Sequence, residues 1–381
     1  PIIPTPTPSP SATPSPSVTL DSGPQGPIGD GFVFETKTDL LDAVDDWDAD
    51  STSATTTYGN INNWNVSAIT DMSYLFNEKK NITTLDLSGW DTSNVTNIYR
   101  MFYGCSALTS LDVSNFNTGN VIDMTLMFYG CSALTSLDVS NFDTSSVTNM
   151  ASMFSYCSSL TSITFGENFD TSNVTNMYAM FYWCKALTSL TFGDNFDTSN
   201  VTNMYAMFSW CKALTSLTFG DNFDTSNVTS MGYVFSNCRA LTSLDISGWC
   251  VTELDYEPDS FAENAPFATD PSNLPNWGYC PVTGVISGAT NIGDDTLNVS
   301  NSAEFTIGDQ LVIDRGTSSE ETTTIIDKGS LVIYPELTKS HADTATVESR
   351  PTVPSPTPSP SPSPTESPTY VETYIDGPSP T

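Results

Sequence analysis

The chain has 381 residues, enough for about two or three domains with a sizeable core. It contains 44 Asp and Glu but only 11 Lys and Arg, which gives a net charge of -33. Because such a surface repels phosphate groups, nucleic acid and anionic lipid are not expected as partners. There is no apolar run of about 18 residues for membrane insertion, and with His341 as the single histidine we expect neither enzymatic activity nor a cofactor.

The chain begins with a Pro/Ser/Thr-rich arm, residues 1–27, and a similar linker occupies residues 351–369. Residues 28–257 contain no proline at all. Proline fixes φ and lacks an amide N–H, so both tracts predict extended polyproline II arms. They are either solvated linkers or O-glycosylated stalks. The start at Pro1 without a signal-peptide pattern is expected of a mature or excised product.

Residues 28–57 predict an acidic, helix-like N-terminal cap, and residues 58–249 contain repeats of 26 or 27 residues. The period is recorded by a ladder of six cysteines, namely Cys105, Cys131, Cys157, Cys184, Cys211 and Cys238. A phenylalanine recurs three residues before each of them. Since like residues stack in a repeat protein, these phenylalanines predict one buried column.

Each repeat contains two hydrophobic periods. Leu111 and Val113 alternate with polar residues, which predicts a half-buried strand. The second period has the i, i+3, i+6, i+7, i+10 spacing of one helix face, at Val174, Met177, Met180, Phe181 and Cys184. Strand and short helix in every repeat predict an α/β fold, a right-handed solenoid with a parallel sheet.

The repeats resemble a known family in the phrases LDLSGWDTSNVTNIYRMF and FDTSNVTNMYAMFYWCKALTSL, and in the entry segment FVFETKTDLLDAVDDWDAD. Residues 32–267 resemble the BspA-like leucine-rich-repeat family of surface proteins. This resemblance implies a solenoid exposed on a cell surface or in extracellular material, without a chemical activity. The arms resemble the Ser-Pro tracts of hydroxyproline-rich cell-wall glycoproteins of algae and plants.

After the repeats, residues 250–281 predict a loop-rich C-terminal cap. Cys250 and Cys280 lie outside the ladder, and because an external setting is oxidising we expect a disulfide between them. The ladder cysteines are either free and buried or bridged between adjacent repeats. Short alternating strands separated by turn residues predict a small antiparallel β module over 282–350.

Glycosylation is the modification that the sequence predicts. The Asn-X-Ser/Thr sequons are Asn65, Asn81, Asn94, Asn173, Asn200, Asn227 and Asn298. Candidate positions in the arms are Pro6, Pro8, Pro10, Ser15, Pro16, Pro356, Pro358, Pro360, Pro362 and Pro364. The alternative for the recurrent NVT sequon is a role in capping and packing alone.

Two columns of aspartates recur with the repeats. One comprises Asp86, Asp112, Asp138 and Asp245, and the other comprises Asp143, Asp170, Asp197 and Asp224. Neighbouring carboxylates about 5 Å apart repel unless they accept hydrogen bonds or bind a cation. Asx caps on a solvated face are therefore one interpretation, and Ca²⁺ binding is the other; no metal ligand is assigned.

The C-terminal arm, residues 370–381, has the alternation of a strand, with Tyr370, Val371, Tyr374 and Ile375 as its assembly residues. It either folds back onto its own β module or joins a sheet edge of another copy by β-augmentation. The second option predicts a homopolymeric filament. The function expected is thus a structural protomer of an extracellular glycosylated fibre or surface appendage. The alternative is an adhesin or receptor that binds a glycan or protein through the sheet face.

Overall fold

The structure is a computed structural model that describes residues 31–193 and 195–280, together with six strands between residues 283 and 350. The chain divides into two compact units, Pro1–Cys280 and Pro281–Thr381. None of the helices in the described residues is long and apolar enough to cross a lipid bilayer.

Two helices precede the repeats: α1 spans Lys37–Ala49 and α2 spans Ser51–Tyr58. Asp50 separates them, because its carboxylate accepts the amide hydrogens of Thr52 and Ser53 and so caps the start of α2. Residues Leu40 and Val44 of α1 are fully buried. A 3₁₀ helix, Ile61–Asn63, leads into the first repeat.

The repeats contribute six short strands, which are β1 Thr84–Asp86, β2 Ser110–Asp112, β3 Ser136–Val139, β4 Ser162–Phe165, β5 Ser189–Thr191 and β6 Ser216–Thr218. Three parallel pairs form, β1 with β2, β3 with β4 and β5 with β6. Equivalent residues of successive repeats lie opposite each other, as in the pair Leu137 and Ile163. The predicted parallel pairing of repeats is confirmed, and we call this part of each repeat the strand side.

The short helices predicted for the second half of each repeat are wrong. None of the described residues between 64 and 265 is helical; Asp194 lies outside the description. The segment Met177–Cys184 instead forms consecutive turns, and Ala179 and Trp183 have φ values of 51° and 64°. Such a pair of left-handed residues, four positions apart, recurs in every repeat. We call each such segment a double turn.

Hydrogen bonding explains why the double turn replaces a helix. Alternate amides close turns within the repeat, such as that of Met180, which donates to the carbonyl oxygen of Met177 (3.2 Å). The amides between them donate to the next repeat, such as that of Ala179 to the carbonyl oxygen of Tyr205 (2.8 Å). A helix would use all of these donors internally. The double turn keeps a helix-like spacing of apolar residues but ties neighbouring repeats together.

The core runs through the stacked repeats. The phenylalanine column is completely buried, and rings in adjacent repeats stack nearly parallel, as Phe128 and Phe154 do at 5.7 Å between centroids and 6° between planes. At the end of the column, Phe261 and Phe267 contact the ring of Phe235 edge-on. The 3₁₀ helices Pro266–Thr269 and Pro271–Asn273 follow.

The second unit contains a six-stranded sheet, formed by β7 Thr283–Val285, β8 Thr296–Leu297, β9 Gln310–Ile313, β10 Glu321–Asp327, β11 Leu331–Tyr334 and β12 Thr346–Arg350. The strand order is β7-β12-β9-β10-β11-β8, and every pairing is antiparallel, as the sequence predicts. The two edge strands, β7 and β8, are also the two shortest.

Candidate interaction surfaces of the repeats

The aspartate columns cap turns on the strand side. Asp138 accepts a hydrogen bond from the amide of Ser140 (2.9 Å), and Asp143 accepts one from the amide of Ser145 (3.1 Å). Asp86 and Asp112 lie opposite each other in register, yet each carboxylate likewise accepts the amide two residues ahead. Within the described residues, no three His, Cys, Asp or Glu side chains form a group that could hold a metal ion. The contacts therefore correspond to Asx caps.

A threonine follows each aspartate of the second column, and its hydroxyl joins adjacent repeats. Thr144 is fully buried and donates to the carbonyl oxygen of Asp170 (2.7 Å), and Thr171 donates to that of Asp197 (2.7 Å). Each hydroxyl satisfies a backbone acceptor of the next repeat. This column ties the corners of the repeats together in the same way as the double turns.

The described sequon asparagines are all exposed. The recurrent ones also bridge repeats: Asn94 donates from its side-chain amide to the carbonyl oxygen of Ser67 (2.9 Å), and Asn200 donates to that of Ser172 (2.7 Å). Asn173 and Asn227 make the same contact. N-glycosylation replaces one of two amide hydrogens, so the other remains available for this bond.

The cysteines fall into two chemical groups. Cys250 and Cys280 are joined by a disulfide in the C-terminal cap, whereas the six ladder cysteines are free and buried. Each ladder thiol donates to a phenylalanine carbonyl oxygen of the preceding repeat, for example from Cys157 to Phe128 at 3.1 Å. Burial raises the pKa of the Cys157 thiol to about 12. The ladder thiols are thus poor nucleophiles in the folded protein.

Several predicted positions lie outside the described residues. These are Asn298, the candidate proline and serine positions of both arms, and the assembly residues Tyr370, Val371, Tyr374 and Ile375.

An aromatic row on the double turns is the surface that the sequence analysis missed. It consists of five partly exposed rings from successive repeats, Tyr103, Tyr129, Tyr156, Trp183 and Trp210. Neighbouring ring centroids are 4.7, 5.1, 5.8 and 4.4 Å apart along the row. Because the rings support one another and sit on a rigid backbone, the row is a preformed apolar surface.

Cations lie over these aromatic rings. The Nζ atoms of Lys185 and Lys212 are 4.1 and 4.5 Å from the centroids of Trp183 and Trp210. Arg100 lies among three tyrosine rings at 4.9 to 5.7 Å, of which only Tyr103 belongs to the row, and two of its guanidinium nitrogens are buried. None of these cations has an ion-pair partner among the described residues. The double turns therefore carry cation–π pairs within a strongly acidic chain.

One sequence signal could have revealed the row. Every member occupies one of the two positions before a ladder cysteine, in the phrases FYGC, FSYC, FYWC and FSWC. In the helix that the sequence predicted for this segment, these residues would lie on different faces. Only the double turn places them side by side.

Two open depressions lie on the described part of the chain. Their volumes are about 370 and 560 Å³. The first is lined by the Asx corners near Asp197, Asp224 and Trp249, and the second by the C-terminal cap near Arg239. The repeated surfaces are extended, which is typical of repeat proteins that contact large partners.

Fold and surfaces together define a repeat protein in which short parallel strands and double turns alternate with a 26- or 27-residue period. The family model described as "Mycoplasma protein of unknown function, DUF285" matches residues 33–164, 109–216 and 190–291. These matches span more than half of the chain, which therefore belongs to the DUF285 family. The three overlapping matches agree with a BspA-like repeat family. No curated protein and no solved structure matches the chain.

Proposed function

We propose that this chain is a structural protomer of an extracellular glycosylated fibre or surface appendage. In this proposal the repeats form a leucine-rich-repeat solenoid that serves as a rigid rod, and the proline-rich arms connect copies of the chain. The observation that carries the proposal is the density of bonds between repeats: backbone amides, threonine hydroxyls, asparagine amides and cysteine thiols all cross from one repeat to another. Such a body resists bending.

The cysteine chemistry supports an extracellular location. The disulfide between Cys250 and Cys280 is expected in an oxidising compartment. The six ladder cysteines remain reduced there because they are buried and protonated. Exposed sequon asparagines and Ser/Thr/Pro-rich arms are compatible with glycan attachment in the same compartment.

The second unit offers an acceptor for the C-terminal arm. Among the described strands its sheet ends in β7 and β8, and an unpaired edge accepts a further strand, here over a length of three or two residues. We propose that residues 369–375 of one copy pair with such an edge of the next copy. Because the donor and acceptor surfaces differ, the contact is head-to-tail and repeats into an open filament.

Electron microscopy of the full chain and of a deletion variant tests this proposal. The full chain is expected to form filaments, and the variant without residues 351–381 is expected to lose them. Replacing Tyr370, Val371, Tyr374 and Ile375 with serine should have the same effect, whereas Asp376→Asn, in the same arm, should not. Filaments unaffected by the deletion, or a full chain that stays monomeric at high concentration, would contradict the proposal.

An adhesin or receptor that binds through the strand side is the second candidate. The observation that favours it is the row of exposed polar side chains, such as Thr84 and Asp86 on β1. This surface has no aromatic anchor of the kind that dominates binding energy in protein interfaces. Imaging the native material separates the two functions, since an adhesin would appear as isolated molecules on a surface.

A further inference from the structure

We propose that the aromatic row is the docking site for the proline-rich tract of a second copy, residues 351–368. This inference rests on the proposed assembly through terminal arms and identifies the acceptor surface of the tract. The row is defined, as above, by Tyr103, Tyr129, Tyr156, Trp183 and Trp210.

The chemistry of the row matches a proline-rich ligand. Polyproline II segments are recognised by aromatic-lined surfaces, because their prolines pack on the rings and their conformation is already ordered before binding. The tract contains eight prolines in 18 residues, in the repeated dipeptide Ser-Pro or Thr-Pro over most of its length. The described surface offers no other run of five contacting rings that is partly exposed.

The spacing of the row matches the pitch of such a ligand. A polyproline II turn of three residues advances about 9.3 Å. Two repeats advance about 9.5 Å, since hydrogen-bonded backbones lie about 4.7 to 4.9 Å apart. Ring positions and ligand turns therefore stay in phase along the row. Because prolines recur at every second residue, the side of the ligand that contacts the rings alternates proline with serine or threonine at successive turns, and its other sides stay open for sugars.

Charge favours the same pairing. The double-turn segments of the row and the one after it, 98–107, 124–133, 150–159, 177–186, 204–213 and 231–240, contain four Lys and Arg and no Asp or Glu, whereas the first and last double turns contain Glu78, Asp259 and Glu263. The docking tract, residues 351–368, contains one acidic residue, Glu366, and no basic one. In a chain of net charge -33, most other surface would repel Glu366, whereas Lys185 and Lys212, which lie over the tryptophan rings of the row, attract it.

The test uses a variant that removes rings without disturbing the double turn. Trp183 and Trp210 have left-handed φ values of 64° and 66°, and asparagine occupies the equivalent position at Asn237 with 62°. The double variant Trp183→Asn/Trp210→Asn is thus compatible with the backbone. The control is Tyr256→Ser, which removes a ring that is 73% exposed and lies outside the row.

Sedimentation velocity of the full chain over a concentration series measures self-association. The double variant should need at least about tenfold more protein to associate, which corresponds to about 1.4 kcal/mol. The control variant should behave as the parent. An unmodified synthetic peptide of residues 351–368 should dissociate the parent assemblies, and the same peptide with alanine for proline should not.

Three outcomes overturn the inference. They are a double variant that associates like the parent, a peptide without effect, and neutral oligosaccharides that compete where the peptide does not, since these would assign the row to a glycan. Filaments that need residues 351–381 but tolerate the double variant would refute this docking site and leave the proposed function intact. A parent chain without filaments would refute the proposed function, even if the peptide binds the row.

Discussion

The two sides of each repeat are organised by different means. On the strand side, the alternation of polar and apolar residues gives short in-register strands, and side chains such as Asp138 and Thr144 fix the corners. On the double-turn side, the backbone itself holds the repeats together. Left-handed residues form the turns, and successive amides donate alternately within their own repeat and to the next repeat. The comparison shows that turns can present apolar residues at a helix-like spacing. They replace a helix where some of the backbone amides have to donate to the neighbouring repeat.

The largest expected effect is the pH dependence that the ladder thiols impose. Burial raises the pKa of each of them, and for Cys157 the value is about 12. The unfolded thiols ionise near pH 9, so stability is fully present below pH 9 and is lost as the pH rises towards the folded pKa. By pH 10 the six thiols together should lower the free energy of unfolding by several kcal/mol, on the order of 1 kcal/mol for each thiol.

Denaturant titrations between pH 8 and pH 10.5 measure this slope, and Cys157→Ala isolates one thiol. Above pH 9, the free energy of unfolding of the variant should fall less steeply than that of the parent, by about 1.4 kcal/mol per pH unit. If its pH profile parallels that of the parent, the thiol is not buried as the structure indicates.

The phenylalanine column of the double-turn side contrasts with an exposed apolar residue outside it. Replacing Phe154 with alanine should cost about 3 to 5 kcal/mol, the usual penalty for removing a fully buried ring. Replacing Ile122, which is 61% exposed, with alanine should change stability by less than about 0.5 kcal/mol. Urea denaturation measures both, and a loss below about 1 kcal/mol for Phe154→Ala would show that the column is not core.

On the strand side, Thr144→Val tests the corner hydrogen bond. The valine keeps the shape of the side chain but leaves the carbonyl oxygen of Asp170 without its hydroxyl donor, which should cost about 1 to 2 kcal/mol. Thr148→Val is the matched control, because the Thr148 hydroxyl is exposed and can be replaced by water. Equal losses for the two variants would contradict the role assigned to the buried column.

The smallest effect compares one glycine from each side. Gly130, in a double turn, has a φ of 74°, so alanine there should cost about 1 kcal/mol through backbone strain. Gly193, on the strand side, has no left-handed φ and open space around its Cβ position, so alanine there should be neutral or slightly stabilising. Thermal unfolding of both variants checks the sign, and a stabilising Gly130→Ala would contradict the left-handed conformation.

The sequence predicted what depends on repetition and alternation. The parallel pairing, the buried phenylalanines and the antiparallel strands of the second unit all follow from periodicity. The double turns could not be predicted, because left-handed residues such as Trp183 and Ala206 belong to types that rarely adopt positive φ. The aromatic row depends on that backbone. The sequence shows that each repeat has an aromatic residue near its cysteine, but it does not show that these rings contact one another.

An electron cryomicroscopy reconstruction of the assembled protein tests the central claim most directly, namely that copies are joined by arms docked on the double-turn side. The account predicts filaments in which an extended segment from a neighbouring copy runs along Tyr103, Tyr129, Tyr156, Trp183 and Trp210. Isolated molecules, or filaments in which this row faces solvent and the copies meet through the strand side, would contradict it.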